Sequence, residues 1–149
     1  MRSMVLLHVL AMFTAVALSY GTIALLWVAA RARDVDGLRG VSTTIGRLRK
    51  VIPITYVVGI AFGLLSVVAV GFDPFQGWLV AAYILTAIAI VSANVVTGPW
   101  LSRVSSELAT MPATAAVPAA FRDRRAVTLL VADALVIVAI IADMVLRPF

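Results

Sequence analysis

Cysteine is absent from the 149-residue sequence. The chain therefore cannot form a disulfide, hold a metal through thiolates or use a thiol nucleophile. Charged residues are also scarce, at 13% of the sequence, whereas apolar residues reach 63%. Soluble domains contain about 25% charged and about 45–50% apolar residues. A soluble core of this size has no room for so many apolar side chains, so the composition predicts a membrane protein.

Catalytic motifs are missing as well. The sequence contains no HExxH motif, no nucleophile elbow and no P-loop. Histidine occurs once, at His8, so the chain by itself cannot supply the two imidazoles of a bis-histidine haem site. The residues therefore favour a non-enzymatic protein.

Four apolar stretches are each long enough to cross a bilayer, which takes roughly 20 helical residues. The predicted spans cover residues 4–30, 52–70, 78–100 and 127–146. The first span runs well past a small-residue triplet at 17–19 that resembles a signal-peptidase site, so we expect it to be retained. The sequence thus predicts an all-α membrane protein, with residues 1–149 forming one domain, a four-helix antiparallel bundle.

Basic residues mark one side of this bundle. Of twelve lysines and arginines, all but Arg2 and Arg147 lie in the segments between spans one and two and between spans three and four. The positive-inside rule places both segments in the cytoplasm, so both termini are expected outside. Basic loops beside anionic lipid headgroups account for the net charge of +5, and we expect no nucleic-acid partner. The expected location is a bacterial inner membrane, which the chain crosses several times.

The two basic segments are expected to differ in structure. Residues 31–50 are polar and contain three glycines, which predicts a short loop. Residues 102–125 contain two prolines, which argue against one long helix. A short interfacial helix is expected over residues 102–110, because Leu101, Val104 and Leu108 recur at helical spacing.

Small and polar residues recur at helical spacing on every span and predict the faces that pack inside the bundle. The predicted inward residues are His8, Ala15, Ser19 and Thr22 on span one; Thr55, Gly59, Gly63 and Ser66 on span two; Tyr83, Ala87, Asn94 and Thr97 on span three; and Ala132, Ala139 and Asp143 on span four. Gly59 and Gly63 form a GxxxG motif, which predicts close helix packing.

Four polar residues within the spans are the candidate functional residues. Asp133 lies six residues into span four and Asn94 lies six residues before Trp100, so both are expected about 9 Å from the cytoplasmic boundary. His8 and Asp143 are both expected about 5 Å below the outer boundary. Each aspartate thus has a polar neighbour at its own depth, which predicts one pair between Asn94 and Asp133 and another between His8 and Asp143.

These residues allow more than one function. An aspartate at the centre of a membrane helix costs roughly 2.5–3.5 kcal/mol, which favours Asp133 as the proton- or cation-binding carboxylate of a small proton-coupled transporter. Alternatively, Asp133 is a hydrogen-bonded packing group, and His8 and Asp143 form an interfacial ion pair. His8 is also a candidate ligand for haem b or copper, with Met12 or Met144 as the second ligand. Methionines usually fill gaps between apolar helices, so a protein without a cofactor is expected.

Two short motifs carry a resemblance to a known family. They are LHVLAM at Leu7–Met12, with its histidine near the outer end of span one, and DMVLRPF at Asp143–Phe149. With its four spans, the chain resembles a bacterial family of predicted integral membrane proteins of unknown function, which is distantly similar to copper-resistance D-like and HemJ-like four-helix proteins. For these better-known relatives, the resemblance implies metal or haem handling through membrane histidines.

The leading functional expectation is a helper or assembly subunit of the membrane. This expectation depends on the absence of catalytic motifs and on the GxxxG motif at Gly59 and Gly63. The expected partners are the lipid bilayer and either a second copy of the chain or a larger membrane complex. The transporter using Asp133 and the haem or copper protein using His8 are the alternatives.

Overall fold

The computed structural model describes residues 2–112 and 117–146, and these residues are almost entirely helical. The helices are α1 (Arg2–Arg31), α2 (Val35–Leu48), α3 (Val51–Val70), α4 (Gly77–Ser92), α5 (Gly98–Thr110) and α6 (Arg124–Leu146). A π-helical turn (Ala93–Thr97) joins α4 to α5, and a 3₁₀ turn (Ala119–Arg122) precedes α6. The described ranges contain no strand, so the all-α prediction is confirmed for them.

Four helical stretches are long and apolar enough to cross a membrane, as the sequence predicts. They are Ser3–Arg31, Val51–Val70, Gly77–Thr110 and Arg124–Leu146. The third has 34 residues and therefore a length of about 51 Å, whereas the hydrocarbon core is about 30 Å thick. The expected short helix at 102–110 is thus the continuation of span three rather than a separate element.

The π-helical turn explains how this long helix passes a proline. Pro99 has no N–H and its ring clashes with the carbonyl four residues earlier in a regular α-helix. In the structure, the Gly98 N–H donates to the Ala93 carbonyl five residues earlier, so the turn is wider than an α-helical one. The sequence did not predict that the helix continues past this proline, and the wider turn accommodates it.

The chain divides into two compact units, one ending at Pro74 and one beginning at Phe75. In the first unit, α1 packs along α3, and α2 folds back against α1. The expected loop at 31–50 is wrong, because most of it is helix α2. Asp34 starts this helix by accepting a 2.8 Å hydrogen bond from the Gly37 N–H, and the side chain of Leu38 is fully buried.

The inward face of α1 matches the prediction. Ala15 is fully buried, and His8, Ser19 and Thr22 are half-buried. Both hydroxyls donate to carbonyls of α1 itself, Ser19 to Ala15 and Thr22 to Leu18. The hydroxyl groups on this face are therefore satisfied within the helix, and its small residues leave room for α3 to approach.

In the second unit, α4 packs against α6, and its inward face differs from the prediction. Trp78, Leu79 and Ala82 are buried on α4, whereas Tyr83 and Asn94 are exposed. Three residues of the predicted polar stripe are therefore exposed, whereas its fourth, Thr97, is half-buried and has a buried Oγ1. The buried residues of α4 are apolar.

Helix α6 shows the same kind of correction. Of the three residues predicted to face inward, Asp143 is buried, but Ala132 and Ala139 are exposed. Leu130 and Ile140 are buried in their place, at 8% and 7% exposure. The larger side chains fill the contact, and the alanines lie on the outer surface.

Candidate functional site

Helix α6 carries two buried carboxylates. Asp133 is 7% exposed and Asp143 is 9% exposed, and they make up the buried polar and charged residues of the described chain. Ten residues separate them, which corresponds to about 15 Å along the helix. Both lie on the buried side of α6, near Leu130 and Ile140. The helix thus holds one carboxylate near its middle and another near its C-terminal end.

The Asp143 carboxylate is incompletely satisfied. Its Oδ2 atom is buried and has no hydrogen-bond partner among the residues that the structure describes. A buried carboxylate oxygen without a donor is costly, by about 1–3 kcal/mol or more for a charged group. A proton or a bound cation removes this cost, so the position suits a group that takes up positive charge.

Asp133 lies about 14 Å from the start of α6 at Arg124. Asn94, in the π-helical turn, lies about 9 Å before Trp100. The Nε1 of Trp100 donates to the Ala120 carbonyl, in the 3₁₀ turn before α6, at 3.1 Å.

The predicted hydrogen bond between Asn94 and Asp133 is not formed. Asn94 is exposed, and its Nδ2 donates to the Ile90 carbonyl one turn earlier, at 2.8 Å. The exposed side chain of Asn94 bonds within its own helix, so the face assigned to Asn94 is where the structure differs from the prediction.

His8 contacts α3 in the first unit. Its Nδ1 lies 2.7 Å from the carbonyl oxygen of Gly59. A carbonyl only accepts, so Nδ1 is the nitrogen that carries the hydrogen in this bond. In the neutral ring, Nε2 is then left as the acceptor or ligand atom. The hydrogen bond fixes both the tautomer and the direction of the imidazole.

The GxxxG motif receives two side chains of α1. A Cβ atom at Gly59 would lie 2.6 Å from Sδ of Met12, and a Cβ atom at Gly63 would lie 2.9 Å from Cε1 and Nδ1 of His8. The two glycines therefore make room for Met12 and His8 within one chain. The motif is used for packing α1 against α3, which removes the reason to assign it to contacts between chains.

Metal binding stays a prediction for His8. Within residues 2–112 and 117–146 there is no group of three or more histidine, cysteine or acidic residues that could hold a metal ion. The hydrogen bond to the Gly59 carbonyl is of the kind that orients metal-bound imidazoles, and it leaves Nε2 as the single available nitrogen. Met12 lies on the same face of α1, while Met144 belongs to the other unit. His8 and Asp143 are likewise in different units, so their pairing also stays a prediction.

A polar cluster at the start of α6 was missed by the sequence analysis. Asp123 Oδ1 accepts from the N–H groups of Arg125 and Ala126, which caps the helix. Arg103 on α5 lies 3.1 Å from Asp123 Oδ2, and Glu107 Oε2 accepts from the Ala120 N–H at 3.2 Å. The cluster joins α5 to α6 and fixes the point at which α6 begins.

Electrostatics of this cluster favour an ionised Asp123. The N–H of Ala126 and then the guanidinium of Arg103 hold the pKa of the Asp123 carboxyl below its usual value. An aspartate directly before a helical stretch is a recognised signal for the start of a helix. This pattern in the sequence would have indicated the cap at Asp123.

The described residues thus offer two kinds of chemistry. Buried carboxylates on α6 suit reversible binding of a proton or cation, and the oriented imidazole of His8 suits a single ligand bond. No protein-family model, curated protein or solved structure matches the chain. The functional assignment therefore depends on the chemistry of these residues.

Proposed function

We propose that the protein is a small proton-coupled membrane carrier in which Asp133 binds and releases the coupling proton. The burial of Asp133 on the packed side of α6 is the observation that supports this function. A charged aspartate at such a depth costs roughly 2.5–3.5 kcal/mol, whereas the protonated acid is neutral. A carboxyl that alternates between a buried neutral form and a hydrated charged form moves charge within the membrane.

Asp143 is the second proton-binding residue in this proposal. It lies about 15 Å from Asp133 toward the C-terminal end of α6, and its buried Oδ2 has no hydrogen-bond partner among the described residues. Two carboxylates at different depths on one helix suit the stepwise passage of a proton. The protein is proposed to act without a tightly bound cofactor and without catalytic chemistry.

The proposed topology gives these positions a direction. The basic segments that contain α2 and the end of α5 lie in the cytoplasm, and both termini lie outside. The four spans then alternate in direction and form an antiparallel bundle in a bacterial inner membrane. Under this arrangement α6 runs from the cytoplasmic side to the outer side of the membrane. Asp133 is then the inner proton-binding residue and Asp143 is the outer one.

Proton flux into liposomes tests the proposal. The purified protein is reconstituted with an entrapped pH-sensitive dye, and a potassium diffusion potential drives protons inward. Wild-type protein is expected to acidify the vesicles faster than empty liposomes, and Asp133→Asn is expected to reduce that excess rate more than about tenfold, since the amide cannot take up the proton. Asp36→Asn is the matched control, because the Asp36 side chain is 78% exposed on α2.

Two results would contradict the carrier. One is an Asp133→Asn flux equal to that of the wild type. The other is a wild-type flux no greater than that of empty liposomes. Circular dichroism of each variant separates a lost proton site from a lost fold.

An assembly subunit is the second candidate function. Two exposed polar residues of span three, Tyr83 on α4 and Asn94 in the π-helical turn, favour it, because lipid cannot satisfy such groups. Crosslinking in membranes followed by gentle purification tests this function. Reproducible recovery of a different membrane protein would support the subunit, and recovery of the chain alone would oppose it.

A further inference from the structure

The π-helical turn of span three leaves one backbone carbonyl without a donor from its own helix. In an α-helix the Asn94 carbonyl accepts from the N–H of Gly98, four residues later. The Gly98 N–H donates instead to the Ala93 carbonyl, and the next residue, Pro99, has no N–H. Neither the α-helical nor the π-helical register therefore gives the Asn94 carbonyl a donor. The Val95 carbonyl loses its α-helical donor, because that donor would be Pro99.

Thr97, in the same turn, has a buried hydroxyl oxygen with no hydrogen-bond partner among the described residues. Several hydroxyls elsewhere in the spans donate to the carbonyl four residues earlier, as Ser19 and Ser66 do. For Thr97 that carbonyl belongs to Ala93, which already accepts from Gly98. The turn thus leaves a hydroxyl oxygen available as well as a carbonyl oxygen.

The Thr97 hydroxyl and the Asn94 carbonyl are neighbours along the helix. A hydroxyl lies close to the carbonyl three residues earlier, as the 2.9 Å hydrogen bond from Thr22 to the Ser19 carbonyl on α1 shows. Thr97 and Asn94 have the same separation in sequence. In the wider π-helical turn the Thr97 hydroxyl does not donate to that carbonyl, so both oxygens stay available to a third group.

The surroundings of this turn favour a cation over a neutral molecule. Helix α6 packs against α4 and against the π-helical turn, and it carries the buried carboxyl groups of Asp133 and Asp143. The segments 77–97 and 127–146 contain no lysine, arginine or histidine. Carbonyl dipoles and acidic side chains therefore dominate the electrostatics of this helix pair. A surrounding of low dielectric constant strengthens their attraction for positive charge.

We infer that the π-helical turn of span three binds an alkali-metal cation, with the Asn94 carbonyl and the Thr97 hydroxyl as ligands. Hard cations prefer oxygen ligands, and interrupted membrane helices supply carbonyl oxygens to such ions in transporters. Both oxygens are uncharged, which suits a monovalent cation better than Ca²⁺, whose sites include carboxylates. The inference does not depend on the proposed carrier, because cation binding is measured without proton flux.

Thermal unfolding of the purified protein in detergent, followed by circular dichroism, measures this binding. NaCl and KCl are each compared with choline chloride at the same ionic strength, because the methyl groups of choline keep its charge away from oxygen ligands. At least one of the two metal chlorides is expected to raise the unfolding midpoint above that in choline chloride. A ligand that binds the folded state stabilises it, so the concentration dependence of the midpoint gives the Kd.

Thr97→Val keeps the size of the side chain and removes its oxygen. It is expected to weaken cation affinity about ten- to a hundredfold, the effect of a lost polar contact to a charged group. Thr97→Ser retains the oxygen and is expected to bind nearly as well as the wild type. Thr22→Val is the matched control, because the half-buried Thr22 hydroxyl donates within α1, and its cation affinity is expected to be unchanged.

Pro99→Ala tests the carbonyl ligand and does not alter Thr97. The new N–H gives the Asn94 carbonyl a donor in either register, from position 99 in a π-helix or from Gly98 once the helix becomes regular. Pro99→Ala is therefore expected to weaken cation binding without loss of helix content. It keeps the inference testable if Thr97→Val fails to fold.

Three results would overturn the inference. The first is the same unfolding midpoint in NaCl, KCl and choline chloride. The second is a salt-specific shift that persists in both Thr97→Val and Pro99→Ala, or that Thr22→Val removes equally. The third is a change of stability in Thr97→Val that is identical in all three salts, because the hydroxyl would then hold water rather than a cation.

Discussion

Replacing Gly63 with alanine brings a methyl group against the imidazole of His8. The new Cβ would lie 2.9 Å from both Cε1 and Nδ1, closer than carbon atoms tolerate. The ring is held in place by its 2.7 Å hydrogen bond to the Gly59 carbonyl, so it cannot turn away without losing that bond. Gly63→Ala is therefore expected to separate α1 from α3 locally or to break the hydrogen bond.

The magnitude follows from three opposing effects. Overpacking of a tight contact costs about 1–3 kcal/mol, and a hydrogen bond between membrane helices is worth about 0.6–1.7 kcal/mol. Alanine is a better helix former than glycine by about 1 kcal/mol, which offsets part of the loss. We expect Gly63→Ala to lower the free energy of unfolding by about 1–3 kcal/mol.

Unfolding in mixed detergent micelles, followed by circular dichroism, measures this loss. Gly21→Ala is the control, because Gly21 is exposed on α1 and a Cβ there meets no atom within 4 Å. It is expected to be neutral or stabilising. In a His8→Ala background the obstructing ring is gone, so Gly63→Ala should cost little. An equal cost with and without His8 would refute the reasoning.

Two further predictions concern the polar residues outside this contact. The lowered pKa of Asp123 means that its contribution to stability is present above its unfolded pKa of about 3.9 and is lost as the pH falls through the folded value. Unfolding measured from pH 7 down to pH 2 is expected to show this loss, and Asp123→Asn should flatten that part of the curve; an unchanged curve would contradict the capping account. Purified protein is expected to show no Soret band, and a band that disappears in His8→Ala would instead assign haem to Nε2.

Hydropathy predicts the four long helices of this fold, because each membrane helix must be long and apolar. Helical periodicity identified residues that share a face, but it did not give the direction of that face. On α1 the stripe with Ala15 faces α3, whereas on α4 the stripe with Asn94 faces outward. The spacing of small and polar residues therefore does not by itself show what a helix face contacts.

Local start signals account for the remaining errors. Three glycines in residues 31–50 were read as a loop, although Asp34 caps α2 and Leu38 anchors it. The start of α6 was taken from hydropathy, and the cap at Asp123 moves it three residues earlier. The candidate residues themselves could be identified in the sequence. Identifying their partners required knowing where each helix begins and ends.

Infrared difference spectroscopy of the protein in lipid tests the protonation of Asp133 most directly. Cycling the pH of the surrounding buffer should change the C=O stretching band of a protonated carboxyl group. We predict that Asp133→Asn removes this pH-dependent band and that Asp36→Asn leaves it unchanged, since Asp36 is exposed on α2. A difference spectrum that is identical in wild type and Asp133→Asn would show that Asp133 does not exchange a proton, and would contradict the proposed carrier.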